Sequence, residues 1–452
     1  MIRRRPECLL LILGFIVNMR GTLPLLEPEE SRYAEIPRQM LESGTFIVPL
    51  LDGQSYLDKP PLFYWLVMLS YSIFGDSVWS ARIVPSLIAA LIVPVVYRWA
   101  RHLGGASAGL MAAAIWLTMP DAVYRTPMLT MNGLLALATT AAAAFGQFAI
   151  RTRRIDWRWG TASALACALG VLAKGPVAIV LVSPLLLPLV THRASWRAAF
   201  GAIAIYASLV VLVAGPWFAI VSAREPDFLR YFFWKHHVER TLTPFDHFKP
   251  FWFYLPQLLL GSLPWWPLAF AGIRRRFPAA FFPLLMATFA MAFFSFAGSK
   301  RPIYLTPVYP PLAVGLGLIA VKVLSVRLRL AIVFAMAIGQ ALFFLLWLPG
   351  YHHRFSLDDL ISPERSLHLV AHAHAWPAAE FRRHERLDYL SDDALDQLAE
   401  PTPGHSCGIL TSPSQLSHVV RILAAKNGQF TIRKNEVSAL VIWSPAKSEV
   451  ER

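Results

Sequence analysis

The chain has 452 residues, 56% of them hydrophobic and only 15% charged, which excludes a string of soluble globular domains and marks a polytopic membrane protein. Lys and Arg outnumber Asp and Glu by 42 to 28, a formal net charge of +14, but loop orientation accounts for the excess, so nucleic acid is not a partner this sequence points to. The three cysteines, Cys8, Cys167 and Cys407, supply neither a disulfide framework nor a paired metal motif.

The first apolar run, about Cys8 to Leu26, follows Arg3, Arg4 and Arg5 and ends without a small-residue cleavage site, so it reads as a retained span. Further apolar stretches follow at about 79–100, 106–124, 128–150, 159–173, 176–191, 199–221, 251–272, 278–297, 302–321 and 329–349, for about eleven crossings. Every second connection is short and basic: Arg98 to Arg101, Arg151 to Arg158, Arg193 to Arg197, Arg274 to Arg276, and Lys322 to Arg329. The positive-inside rule puts these in the cytoplasm. The other side collects the acids, including Glu27, Glu29, Glu30, Glu35, Asp58, Glu225, Asp227, Glu239 and Asp246, and carries two long segments at 27–78 and 222–250. Loops of that size are usually functional.

After residue 349 the composition becomes that of a soluble protein, with β-like runs at Cys407 to Leu410, Phe430 to Ile432 and Leu440 to Trp443. The expected architecture is an all-α membrane region over 1–349 and a small α/β domain over 350–452, delivered to the outer side by the last span. Tandem repeats and inverted transporter-type repeats are not visible.

Five segments could carry chemistry. Glu27-Pro-Glu-Glu-Ser-Arg-Tyr-Ala-Glu35 sets acids directly after a span; it reads either as a solvated helix start or as a carboxylate at the membrane edge serving as general base, with Glu29 and Glu30 the candidates. Residues 33–43 then read as an interfacial amphipathic helix, Tyr33, Ile36, Met40 and Leu41 on one side. Asp58-Lys59-Pro-Pro puts a cation before an aromatic interface stretch, where Lys59 either snorkels or holds a lipid phosphate. Lys174, at the junction of two spans, is expected to face a polar cavity or the interface.

In Lys235-His236-His237-Val-Glu-Arg240, His237 and Arg240 share a helical face. A divalent metal there stays an alternative, with Asp58 as its carboxylate, although no HExxH pattern or third spaced ligand accompanies the pair. Ser299-Lys300-Arg301-Pro-Ile-Tyr304 joins two spans with two cations beside a tyrosine, either as interface anchors or as an anion site. All five segments fall on the outer side, while the spans look almost free of charge at their centres. That favours an enzyme acting on a phosphorylated lipid over a transporter.

At these residues the sequence resembles the bacterial lipid-carrier-dependent glycosyltransferases of the protein O-mannosyltransferase type, particularly the lipid A aminoarabinose transferase branch. The resemblance rests on Glu29-Glu-Ser-Arg-Tyr-Ala-Glu35, Asp58-Lys-Pro-Pro-Leu62, Lys174-Gly-Pro176, His237-x-x-Arg240 with Pro264-Trp265, and Ser299-Lys300 with Tyr304 and Pro307, in consistent order over about residues 1–315.

It implies a GT-C membrane fold with its site at the periplasmic face of the inner membrane. A sugar would pass with inversion from a polyprenyl phosphate, by implication undecaprenyl phosphate, to a lipid A-like lipid, glycan or protein acceptor. Glu29 stands where the family has its catalytic acid. Lys59, Lys174, Arg240, Lys300 and Arg301, with Tyr304, stand at positions expected to hold the donor phosphate. Asp58 and His237 stand where relatives place a carboxylate and a histidine, in some cases with a divalent metal.

The chain departs from the pattern in carrying Glu29 for the usual Asp, in having Met128-Leu-Thr130-Met-Asn132 where a second Asp is usual, and in being shorter than the aminoarabinose enzymes. Thr130 cannot act as a base. A lipid-linked sugar flippase or binding protein, and a catalytically inactive family member, are the alternatives to be tested.

Overall fold

The computed structural model describes residues 6–361 apart from 22, 27, 151–154, 192–195, 240–247 and 276, and residues 368–444 apart from 373–376, 384–386, 392–393, 396–397, 399–406, 425–428 and 437. Helix α1 (Pro6–Asn18) leads into the segment expected on the outer side, containing α2 (Glu29–Glu42) and α3 (Leu62–Phe74). Helix α4 (Val78–Thr118) starts from a capping box in which Ser77 and Ser80 each satisfy the other's backbone N–H.

At 41 residues α4 is too long for one crossing, and Gly105 breaks it with φ +82°. A Cβ on Gly109 would stand 2.8 Å from the Tyr97 carbonyl and 3.0 Å from the Arg101 Cβ. The second half therefore folds back along the first, which is how one continuous helical stretch contains the two apolar runs seen in the sequence.

The chain continues through α5 (Pro120–Arg125), α6 (Met131–Ala149), α7 (Trp157–Lys174), α8 (Val177–Val182), α9 (Leu186–Thr191) and α10 (Trp196–Arg224). Apolar helices follow at Pro278–Phe296, Pro302–Val323 and Val326–Arg354. Among the described residues five helices are long and apolar enough to cross a membrane, and the protein is an integral membrane protein. Pro302–Val323 is buried almost throughout and packs on α4, forming the bundle's centre. Val326–Arg354 turns Phe334, Ile338, Leu345 and Leu346 outward, as a helix at the bundle edge facing lipid would.

Strands β1 (Leu50–Leu51) and β2 (Gln54–Ser55) form a hairpin closed by Asp52-Gly53, both at positive φ (54° and 69°). Asp-Gly is the pair that a two-residue turn of this twist favours. Near the C-terminus, β3 (His368–His372), β4 (Asp388–Leu390), β5 (Cys407–Thr411), β6 (Gln429–Lys434) and β7 (Ala439–Ser444) form one sheet in the order β4-β3-β5-β7-β6. Its first three strands are parallel, and β7 runs antiparallel to both neighbours. All five residues of β5 are buried, with helix Leu416–Ala424 laying Val419 and Leu423 on one face.

This C-terminal unit sits on the outer segment through helix Pro377–Arg383, which packs on α2. Phe381 enters the outer segment's core beside Tyr71, ring centroids 6.1 Å apart. Covered in this way, α2 is not the interfacial helix expected over 33–43. It begins at Glu29, and Glu30, Ser31, Glu35 and Arg38 are buried along with Ile36 and Met40. The buried charges are paired, Glu35 accepting from Arg38 at 2.5 and 2.8 Å.

The same contact buries Glu380 fully. Burial, together with a hydrogen bond to Asp52 and its charge, pushes the Glu380 carboxyl up to about 8; Glu35 adds to the shift, while the Leu387 N–H opposes it. An unfolded glutamate titrates near ~4.3, so across that window the folded state binds more protons and its stability falls as pH rises. Protection of Pro377–Arg383 against hydrogen exchange is expected to be greatest below about pH 5 and to weaken toward pH 8. Glu380→Gln should flatten the profile, and equal pH dependence in both proteins would exclude this origin.

Candidate active site

Glu29 opens α2 right after Pro28, so its side chain projects from the first turn toward the loop between Phe296 and Pro302. There it forms an ion pair with Arg301, each side chain a little under one-third exposed (28% and 29%). The pair is therefore neither sealed in nor freely solvated. Burial pulls the Arg301 pKa down, but the Glu29 charge and hydrogen bond more than reverse this. Arg301 is further fixed through its backbone, whose N–H donates to the Tyr254 hydroxyl at 3.2 Å.

Lys174 ends α7, where Gly175, at φ +86°, terminates the helix. Its ammonium lies 4.3 Å from the Tyr304 ring centroid and donates to Asn132 Oδ1 at 2.5 Å. Tyr33, one turn along α2 from Glu29, joins these groups. Burial pushes its phenol well up, and it lies within electrostatic reach of Glu29, Arg32, Tyr304 and Asp58. Arg32 lies over Tyr56, 6.0 Å from the ring centroid. The sequence-predicted Glu29, Lys174, Arg301 and Tyr304 thus come from α2, the end of α7 and the segment 301–304 into one neighbourhood, linked through the Glu29–Arg301 pair, the Lys174–Tyr304 contact and Tyr33.

Asp58 accepts from the Tyr231 hydroxyl at 2.8 Å, and Lys59 donates to the Asp58 carbonyl at 2.9 Å. The backbone of Arg230–Glu239 is helical, but the His237 side chain and all of Arg240 lie outside the described residues. Among the described residues no group of three or more His, Cys, Asp or Glu side chains gathers as a metal centre requires.

Two candidates take different places from those expected. Glu30 is fully buried, its oxygens accepting from Arg82 at 2.9 and 2.7 Å and from the Leu26 and Leu129 N–H groups at 3.1 and 2.9 Å. Four donors fill a carboxylate's usual capacity, and although burial alone would raise its pKa, the Arg82 charge brings it below normal. It is a structural ion pair rather than a base. Lys300 is 5% exposed and donates to the Lys249 and Ala297 carbonyls at 3.0 and 2.5 Å, so it holds the turn that presents Arg301. Sequence reading missed Arg82, although one charge near the start of an apolar span was the available signal. Asn132 carried no signal, being a neutral residue in a span start.

The fold and this cluster define a membrane-embedded helical protein with a carboxylate and several cations gathered at one end of its helices. Residues 58–219 match the family model of dolichyl-phosphate-mannose-protein mannosyltransferases. The chain is 36% identical over 318 residues to undecaprenyl phosphate-alpha-4-amino-4-deoxy-L-arabinose arabinosyl transferase 1 of Sodalis glossinidius, covering 67% of this chain and 56% of that protein. It is 33% identical over 347 residues to the transferase so named from Pseudomonas aeruginosa, covering 72% and 61%. The chain thus spans less than two-thirds of the length of these relatives. The crystal structure of ArnT from Cupriavidus metallidurans bound to undecaprenyl phosphate superposes with a TM-score of 0.79 at 21% identity, over 96% of this chain and 97% of that one. The chain belongs to the GT-C superfamily that contains these lipid-carrier-dependent glycosyltransferases.

Proposed function

We propose that the protein transfers a sugar, a pentose or hexose, from undecaprenyl phosphate to an envelope acceptor at the periplasmic face of the inner membrane, inverting the anomeric centre. Residues 1–349 would form the transmembrane transferase domain with eleven crossings, and 350–452 a periplasmic α/β domain. The Gly105 reversal inside α4 supports two crossings there, and Glu7 near the start of α1 lies beside Arg98 and Arg101, as a shared cytoplasmic position requires.

The observation that carries the reading is the pairing of the partly exposed Glu29 with Arg301, beside Lys174 seated on Tyr304. An acceptor hydroxyl attacking the anomeric carbon loses its proton to Glu29 as the bond to the carrier phosphate breaks. The phosphate departs with added negative charge, which Arg301, Lys174 and Lys59 would stabilise. Donor entry would draw Arg301 from Glu29 to the phosphate and thereby free the carboxylate to act as base. Arg240 and His237 belong to the same proposed site, and Asp58 to its wall. A lipid A-like acceptor is the one most in keeping with the names of the relatives.

Purified protein in proteoliposomes, given radiolabelled undecaprenyl-phosphate sugars and envelope acceptors, is expected to move label to an acceptor and release undecaprenyl phosphate. Label that crosses the bilayer with its glycosidic bond intact would overturn the transferase reading in favour of a flippase. Bound donor that never reacts with any acceptor would overturn it in favour of an inactive member.

A further inference from the structure

Between the ends of α6 and α9, the first half of α7 and the middle of α10 lies a cavity of about 320 Å³, with Ile150, Trp157, Gly160, Cys167, Leu186 and Ala202 in its lining. A single water needs only roughly 10–15 Å³ of such space. The cavity is therefore far larger than the voids that close-packed side chains leave between themselves. Its wall is apolar, and two of its polar side chains are turned to the backbone. The Ser163 hydroxyl donates to the Ala142 carbonyl at 2.7 Å, and the Tyr206 hydroxyl to the Ser163 carbonyl at 3.1 Å. Water finds few partners in such a wall, whereas hydrocarbon needs none.

The cavity follows α7 from Trp157 to Cys167, about 15 Å of helix rise. That is half of the ~30 Å hydrocarbon core, the depth of one leaflet. Of its lining residues Ile179, Ile205 and Val211 are 49%, 48% and 67% exposed, and α10 is an apolar helix that the bundle covers little. The opening therefore faces lipid rather than water. It lies at the opposite end of α7 from Lys174, away from the Glu29–Arg301 pair.

The chain at this end is basic. Residues 150–158 and 192–197, which follow α6 and α9, carry six arginines against the single acid Asp156, so acids within these segments can neutralise at most one of the six. Arg158 is exposed and follows the lining residue Trp157, at the level where a lipid whose chain enters the cavity would carry its headgroup. We propose that the cavity binds one acyl chain of an anionic phospholipid, its headgroup held by the arginines of these two segments. A chain seated there fills the space between α7 and α10 and fastens α10 to the bundle. This inference is independent of the transferase reading, and the failure of either leaves the other standing.

The test uses the full-length protein in detergent, stripped of lipid and then given phosphatidylglycerol or phosphatidylcholine, with bound lipid counted by native mass spectrometry. The wild type is expected to retain one phosphatidylglycerol and to prefer it over phosphatidylcholine by about fivefold for each arginine engaged. Arg158→Gln should lower that preference by about fivefold. Gly160→Leu and Ala202→Phe fill the cavity from α7 and α10 in turn. A Cβ at Gly160 meets nothing closer than 4.0 Å, so the added side chain has room. Both filled variants are expected to lose the retained lipid and, free of lipid, to melt no lower than the lipid-free wild type.

Phosphatidylglycerol retained equally by both filled variants would put the lipid elsewhere and overturn the proposal. Filled variants that melt below the lipid-free wild type would do the same, by showing that the space does not admit the added side chains. Equal binding of phosphatidylglycerol and phosphatidylcholine would defeat the anionic assignment. Undecaprenyl phosphate displacing the phospholipid at equal concentration would give the cavity to the carrier chain instead.

Discussion

Glu29→Gln is expected to lower kcat for sugar transfer by on the order of a thousandfold, within the range a positioned general base contributes, while undecaprenyl phosphate binding is retained or strengthened. The amide matches the carboxylate in size, so α2 keeps its first turn and its contact with the loop at Arg301. What it loses is the basicity the proposed proton transfer needs and the charge that pairs with Arg301. Releasing Arg301 from its counter-ion makes it more available to a phosphate, so the two effects separate: chemistry falls and donor binding does not. Steady-state turnover measured beside equilibrium binding distinguishes this from general damage, which would reduce both. A glutamine variant turning over at the wild-type rate would remove Glu29 from the mechanism.

Arg82→Met is expected to be the most destabilising single change, by about 3–5 kcal/mol, because it strands a buried charge. Arg82 and Glu30 are 1% and 0% exposed and form a two-pronged pair. Arg82 also donates to the Leu23 and Pro24 carbonyls at 3.0 and 2.8 Å, and His352 Nδ1 lies 2.8 Å from that same Pro24 oxygen. One buried knot thus ties the segment after α1, α2, α4, the loop at Leu129 and the last apolar helix. Combining Arg82→Met with Glu30→Gln should recover part of the loss, since the charge is gone and the amide oxygen still accepts from one of the Leu26 and Leu129 N–H groups, which reach different oxygens of Glu30. A leucine at position 30 should recover less, because it leaves both donors unsatisfied at about 1–3 kcal/mol each. Melting temperatures in detergent give the order, and equal stability of the single and double variants would refute the pair's role.

The two sites show why some candidates could be judged from the sequence and others could not. Glu29 and Glu30 are neighbours of identical chemistry, and nothing local separates the partly exposed carboxylate that pairs with Arg301 from the buried one that Arg82 holds. Adjacent residues on a helix point about 100° apart, so one faces Arg301 and the other the packed interior, according to which helix lies behind. Lys300 and Arg301 divide in the same way, one folded back on carbonyls and the other extended to Glu29. The interfacial reading of 33–43 failed for a related reason. An amphipathic pattern shows that one face is to be covered but not by what, and here helix Pro377–Arg383, more than three hundred residues along the chain, covers it.

What the amino-acid sequence determined by itself was the membrane character and the motifs of the superfamily, because apolar length and short motifs are local quantities, and apolar length is what lipid acts on directly. The partners were decided only by the tertiary structure: Glu29 with Arg301, Glu30 with Arg82, Lys174 between Asn132 and Tyr304, and Glu380 with Asp52. Each joins residues from separate helices or loops. Such pairings depend on which faces the bundle turns inward, and that follows from the packing of all the helices together rather than from the spacing within any one of them.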